Sequence, residues 1–297
     1  MSRQHVPVIG ILLTISAYFF MALFSALNKS VQEAGFTAAQ VMFFDGLVGV
    51  LCMATVAYFK GGLRGLRMKN AKLQIFLMAV NVAGAFLTFQ AYPYLALVQA
   101  YLIAFMGPLL ITALSALILH ERILLKQVVA MLFGFAGVVV ALGPLSIMLN
   151  EHVAKMFAGI ALFALSQVLV RKLSETESTW SFPFYYYLGM LCLSGALFHN
   201  EFIMPDTPRQ WGMLLGLGII DAASLIMVYL GLKYAKASTV APFQYSCLLW
   251  VVLLDMVLWN KFPPYYTWAG AAIVVLSGIY LATYGRKMTK HHKDGKA

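Results

Sequence analysis

The feature that most constrains this chain is a succession of ten apolar stretches, each close to the ~20 residues that carry a helix across a hydrocarbon core. They fall at Val8–Leu27, Ala38–Phe59, Leu73–Tyr92, Val98–Leu119, Gln127–Gly143, Val153–Val170, Trp180–Phe198, Trp211–Leu230, Ala237–Trp259 and Tyr265–Tyr284. Hydrophobic residues make up 62% of the 297 and charged ones only 11%, where a soluble domain carries about a quarter charged. That excess of apolar surface must face lipid, so the expected fold is an all-α membrane protein with ten transmembrane helices. The first apolar run is too long for a signal-peptide core and lacks a small-residue cleavage site, so it reads as the first span. Turn residues punctuate the loops: Gly61-Gly62, Gly143-Pro144, Pro205 with Pro208, and Pro263-Pro264.

Charge sets the expected orientation. With the N-terminus inside, 17 of the 21 Lys and Arg residues fall on the inner side. Only Lys29, Lys155, Arg209 and Lys261 fall outside, so the positive-inside rule places both termini in the cytoplasm. The net charge of +10 is divided among loops and a tail rich in Lys and His after Arg286, which excludes a nucleic-acid-binding domain and suits anionic headgroups of the lipid bilayer. Cys52, Cys192 and Cys247 lie in apolar segments without metal or disulfide spacing. No metal site, cofactor or nucleotide-binding motif is expected.

Ten helices divide into two fives. A shift of 143 residues sets Asn28-Lys29 on Arg171-Lys172 and Gly46 on Gly189; a shift of 139 sets Ala96 on Ala235 and Glu121 on Asn260. After Pro263-Pro264 the shift is 141, setting Ala130 on Ala271 and Gly137 on Gly278. Five is odd, so the second half must enter the membrane from the opposite side, as two inverted five-helix repeats. The expected units are residues 1–146, 147–285 and a basic cytoplasmic tail at 286–297.

The run from Ala96 through Pro108 to Glu121, Gln127 and Gly137 resembles the ten-helix EamA-like branch of the drug/metabolite transporter superfamily: a small-residue entrance to the fourth helix, a proline within it, an acidic residue at its end and a glycine in the fifth. Ala235, Ala237, Ser238 and Gly278 echo it in the second half, where Asn260 replaces the acidic residue and Cys247 the proline. Where such proteins often carry a basic residue in the second helix, this chain has Phe43-Phe44-Asp45. The resemblance implies a monomer or homodimer in a bacterial inner membrane that alternates access around a cavity lined by helices one, three, four, six, eight and nine. Family members import or export amino acids, amines, nucleotide sugars and other metabolites.

Asp45, Asp221 and Asp255 are carboxyls within apolar spans, where an ionisable group faces a cavity or a partner helix. Asp221 lies nearest a helix centre and shares a face with Leu225 and Tyr229, which makes it the candidate proton or cation site; the alternative is a neutral acid bonded to a neighbouring helix. Asp45 is a second candidate, on a helix that the resemblance makes peripheral. Asp255 lies off-centre and suits a structural pairing with Lys261. Asn81, Gln90, Gln99, Tyr101, Gln167, Gln244 and Tyr245 are candidates for a polar cavity with aromatic walls or for interhelical hydrogen bonds. Pro108 and Pro242 interrupt helices four and nine and are candidate gating hinges. No Lys, Arg or His falls near the middle of a span. The expected solute is therefore cationic, zwitterionic or neutral and polar: an amino acid, an amine or an S-adenosylmethionine-like compound, with protons as coupling partners. A lipid flippase and an intramembrane enzyme are the alternatives; the latter lacks both the G-x-S-x-G and H-E-x-x-H patterns.

Overall fold

A computed structural model of the chain describes residues 7–61, 66–119, 125–143, 150–173, 181–197, 202–234 and 241–294. Among these residues the structure is wholly helical: α1 Pro7–Glu33, α2 Ala38–Gly61, α3 Ala71–Ala91, α4 Leu97–Ala104, α5 Gly107–Leu119, α6 Leu125–Leu142, α7 Glu151–Leu173, α8 Ser181–Leu197, α9 Pro208–Tyr234, α10 Ser246–Trp259 and α11 Tyr265–Asp294. Segments α4 and α5 are two parts of one apolar span, Leu97–Ile118, so the eleven segments make ten helices. Among the described residues six spans are long and apolar enough to cross a membrane, and three more apolar helices are shorter. Large apolar side chains such as Leu51, Phe59, Leu117, Leu132, Val257 and Leu276 are left exposed. In water such a surface would drive association, whereas in lipid it is the outer wall.

Helix ends follow local chemistry. Asn70 caps α3, its side-chain oxygen accepting from the Leu73 N–H at 3.3 Å. Gly35, at φ 102°, turns the chain after α1, and Asn260, at φ 51°, ends α10 in the left-handed conformation. Because nothing breaks the helix before Gly35, α1 runs six residues past the expected end at Leu27. That corrects the placement of Lys29 beyond the end of the first helix: it is on α1 and completely buried. The expected fourth helix is interrupted at Phe105-Met106, and Pro108 sits in the first turn of α5, where its missing N–H leaves no intrahelical bond unmade. The expected ninth helix begins among the described residues as a 3-10 turn, Ala241–Tyr245, which contains Pro242.

Helices pack pairwise across the two halves of the chain: α1 with α9, α3 with α7, α2 with α8, and α6 with α11, while α4 meets α10. Small residues permit the close approaches. A Cβ on Gly84 would lie 3.0 Å from the carbonyl oxygen of Gly159, and one on Gly270 would lie 2.4 Å from the backbone of both Ala141 and Gly137. Two large apolar cores result, beside a small cluster of Leu77, Leu169 and Leu173. One gathers α1, α4, α6, α7, α10 and α11; the other gathers α1, α2, α3, α8 and α9, and Tyr92 packs against both.

Candidate functional site

Two polar clusters interrupt these cores. The first lies where α2, α8 and α9 meet. Backbone contact is tight there: a Cβ on Gly218 of α9 would lie 3.2 Å from the Asp45 carbonyl oxygen, and one on Gly49 of α2 would fall 2.3 Å from the Tyr187 ring. One helical turn beyond Gly218, Asp221 accepts a 2.5 Å hydrogen bond from the Tyr187 hydroxyl. Asp45 is completely buried, and neither of its carboxyl oxygens has a hydrogen-bond partner among the described residues. It is close enough to Asp221 for the two carboxyls to interact electrostatically, and Tyr186 lies within range of both. No ion pair to either aspartate occurs among the described residues. The second helix is thus not peripheral at Asp45: the carboxyl faces the interior.

The second cluster ties three chain segments together. Asp255 on α10, buried to 1% exposure, accepts from the Leu97 N–H with one oxygen (3.1 Å) and from the Val98 N–H with the other (2.9 Å). These are the first two residues of α4, so one carboxylate caps the helix and complements its dipole. Lys29 donates to the Leu95 carbonyl at 2.5 Å and lies 4.8 Å from the centre of the Trp259 ring, a cation–π distance. Trp259 in turn donates through Nε1 to Glu33 at 2.7 Å. Beside this cluster opens a cleft of about 310 Å³ lined by Tyr94, Gln99, Asp255, Lys261, Phe262 and Thr267, among others.

The expected site residues therefore separate. Asp221 and Asp45 come together, joined by Tyr187, which sequence reasoning did not single out. Tyr101 is buried in an interhelical network, its hydroxyl 2.9 Å from Ser25 Oγ and 3.0 Å from the Met21 carbonyl. Its ring meets Phe105, which in turn meets Tyr245 at 5.1 Å. Gln99 turns back to accept from the Ala96 N–H at 3.2 Å. Asn81, Gln90, Gln167 and Gln244 are half-buried. Asp255 serves α4, with Lys261 on the wall of the neighbouring cleft. Glu121, Trp180, Ala235, Ala237 and Ser238 lie outside the described residues, as do the side chains of Tyr229, Pro242 and Gln127.

The run Tyr185-Tyr186-Tyr187 was the visible signal for the missing donor, since consecutive hydroxyls inside a span must each find a partner or a wet surface. Lys29 and Glu33 could have been found by extending the apolar pattern of α1 to its first breaker, Gly35.

The model of the EamA-like transporter family matches the chain twice, over residues 8–143 and 153–284. The chain belongs to the EamA-like transporter family. Within this family it is 27% identical over 282 residues to a pseudopaline exporter of Pseudomonas aeruginosa, covering 92% of this chain and 95% of that one. It is also 27% identical to a riboflavin transporter of Vibrio cholerae, covering 99% of both chains. An S-adenosylmethionine uptake transporter of Rickettsia prowazekii is 25% identical over 66% of each chain. A solved crystal structure matches with a TM-score of 0.67 at 21% identity, covering 95% of this chain and 99% of its own, which shows a shared fold. Family and apolar helices together make this an integral membrane protein.

Proposed function

We propose that this protein is a secondary carrier for a small cationic, zwitterionic or neutral polar metabolite, such as an amino acid, an amine or an S-adenosylmethionine-like compound. The observation that carries the proposal is the Asp221–Tyr187 pair, with Asp45 beside it, where three helices meet inside the membrane bundle. A carboxyl held there by a single donor retains acceptor capacity for a bound cation, and aromatic rings around it suit an ammonium or sulfonium centre. The two relatives at 27% identity are named as an exporter and a transporter, which supports transport and speaks against an intramembrane enzyme. Their printed solutes differ, so the solute class comes from the site.

Alternating access follows from two inverted five-helix repeats rocking about this region. The packing supports that arrangement: exchanging the halves turns the α1–α9 pair into the α7–α3 pair and returns α2–α8, α6–α11 and the α4–α10 contact to themselves. The 17-to-4 charge asymmetry supports cytoplasmic termini in a bacterial inner membrane. Tyr229, Asn81, Gln90, Tyr101, Gln167, Gln244 and Tyr245 complete the solute pathway in this reading, with the helix interruption beside Pro108 and the 3-10 turn that contains Pro242 as hinges.

The test is thermal stabilisation of the purified protein by a panel of lysine, putrescine, phenylalanine, S-adenosylmethionine, a nucleotide sugar and inorganic phosphate. A solute present at 100 times its Kd stabilises the folded state by about 2.7 kcal/mol. Stabilisation by a cationic or zwitterionic member, lost in Asp221→Asn, is the expected result. Stabilisation confined to phosphate or the nucleotide sugar would contradict the proposal.

A further inference from the structure

Asp45 is an anomaly that a solute site at Asp221 does not explain. Its side chain has no solvent exposure, and both carboxyl oxygens lack a donor among the described residues. Asp221 has the Tyr187 hydroxyl, and Asp255 has two backbone N–H groups; Asp45 alone of the three intramembrane aspartates has none. A bare carboxylate in such a place costs several kcal/mol, and a second carboxyl nearby adds to that cost. The groups that face it offer no relief. From α9 comes Asp221, and from α8 come Tyr186 and Tyr187, whose hydroxyl is given to Asp221. Helices α1 and α3 contribute Phe24, Val82, Ala85 and Phe89 to the same core. Lys29, the buried cation of α1, is engaged in the other cluster with Leu95 and Trp259. What this carboxyl requires in the observed conformation is a cation of its own.

We infer that Asp45 is the seat of a coupling proton, distinct from the solute position at Asp221 and linked to it through charge. The inference rests on the carrier reading above for the word coupling, but not for the seat itself. The cation on Asp45 leaves Asp221 as the one negative charge at the helix junction. Its departure adds a second negative charge, and a cationic solute then binds more tightly. Loading the seat and loading the solute oppose each other, which is the relation an antiporter needs. With a proton in the seat, solute affinity falls as pH falls, by at most about tenfold per pH unit for one linked proton. Asp45→Asn fixes the neutral state and removes the share of that dependence that belongs to Asp45.

Infrared difference spectroscopy of the full-length protein in lipid tests the seat without any solute. A protonated carboxyl shows a C=O stretch that a carboxylate lacks. At neutral pH the wild-type protein is expected to show such a band, lost in Asp45→Asn, shifted in Asp45→Glu and present in Asp221→Asn. A band that appears only when sodium is withdrawn would overturn the assignment to a proton. Spectra that are the same for wild type and both Asp45 variants, with and without sodium, would overturn the inference. The Asp45→Glu variant guards against a misfolded Asp45→Asn protein. Coupling is read separately, from the Kd of S-adenosylmethionine and of lysine between pH 5 and 8: a slope in wild type that is shallower in Asp45→Asn, where only Asp221 still titrates, supports it, and equal slopes overturn it. If no solute binds wild type while the band behaves as described, the carrier reading fails and the seat stands.

Discussion

At Asp255 one carboxylate satisfies two N–H groups that the start of α4 would otherwise leave bare, and it does so across 158 residues of sequence. Hydrogen bonds to a charged group contribute about 1.5–3 kcal/mol each, and a buried donor left alone costs its full desolvation. Asp255→Ala is therefore expected to destabilise the protein by about 3 kcal/mol, read as a fall in the thermal midpoint in detergent, with Asp255→Asn losing less because one acceptor oxygen remains. An unchanged midpoint in Asp255→Ala would show that the cap is dispensable. Tyr187 works on a smaller scale: Tyr187→Phe removes only the hydroxyl that orients Asp221. A loss of about 1 kcal/mol, roughly fivefold in the Kd of the stabilising solute, is expected. The polar residues of the spans were legible as a set in the sequence, because an aspartate among apolar neighbours is visible without a structure. Their partners were not. Which donors a carboxyl meets depends on how helices far apart in sequence cross, and neither Leu97 nor Tyr187 advertises its aspartate.

Among the elements, close approach is set by glycine. On α11, Gly270 leaves no room for a side chain, since a Cβ would sit 2.4 Å from backbone atoms of Ala141 and Gly137. Backbone cannot rotate away, so Gly270→Ala is expected to cost about 3 kcal/mol, the upper part of the range for overpacking. Gly212 on α9 has nothing within 4 Å of its Cβ position. Gly212→Ala is expected to be neutral or stabilising by up to about 1 kcal/mol through helix propensity. Equal thermal midpoints for the two variants would contradict this account of the α6–α11 contact. Hydropathy located these helices well, because length and apolar content are local properties. It misplaced the end of α1, where the polar residues Lys29, Gln32 and Glu33 continue the helix because other segments satisfy them: Lys29 donates to the Leu95 carbonyl, Gln32 donates to the Phe89 carbonyl at 2.8 Å, and Glu33 accepts from Trp259. Hydropathy alone runs through the interruption at Phe105-Met106, which Pro108 marked to within a few residues.

For the whole molecule, the cross-paired halves put the Asp45–Asp221–Tyr187 junction in one core and the Asp255–Lys29–Trp259 tie in the other, with Tyr92 between them. In the proposed topology of ten spans the chain ends on the side on which it began. A fluorescent-protein fusion at the C-terminus is therefore expected to be bright in a bacterial host and an alkaline phosphatase fusion there inactive; an active phosphatase would invert the orientation that the 17-to-4 charge count supports. The most direct test of the central claim is counterflow in proteoliposomes preloaded with unlabelled lysine or S-adenosylmethionine, with the labelled solute added outside. Wild-type protein is expected to accumulate label from at least one of these solutes above protein-free vesicles, and Asp221→Asn protein, inserted to the same level, is expected not to. Undiminished counterflow by Asp221→Asn would remove the carboxyl at the α2–α8–α9 junction from the transport pathway and contradict the account.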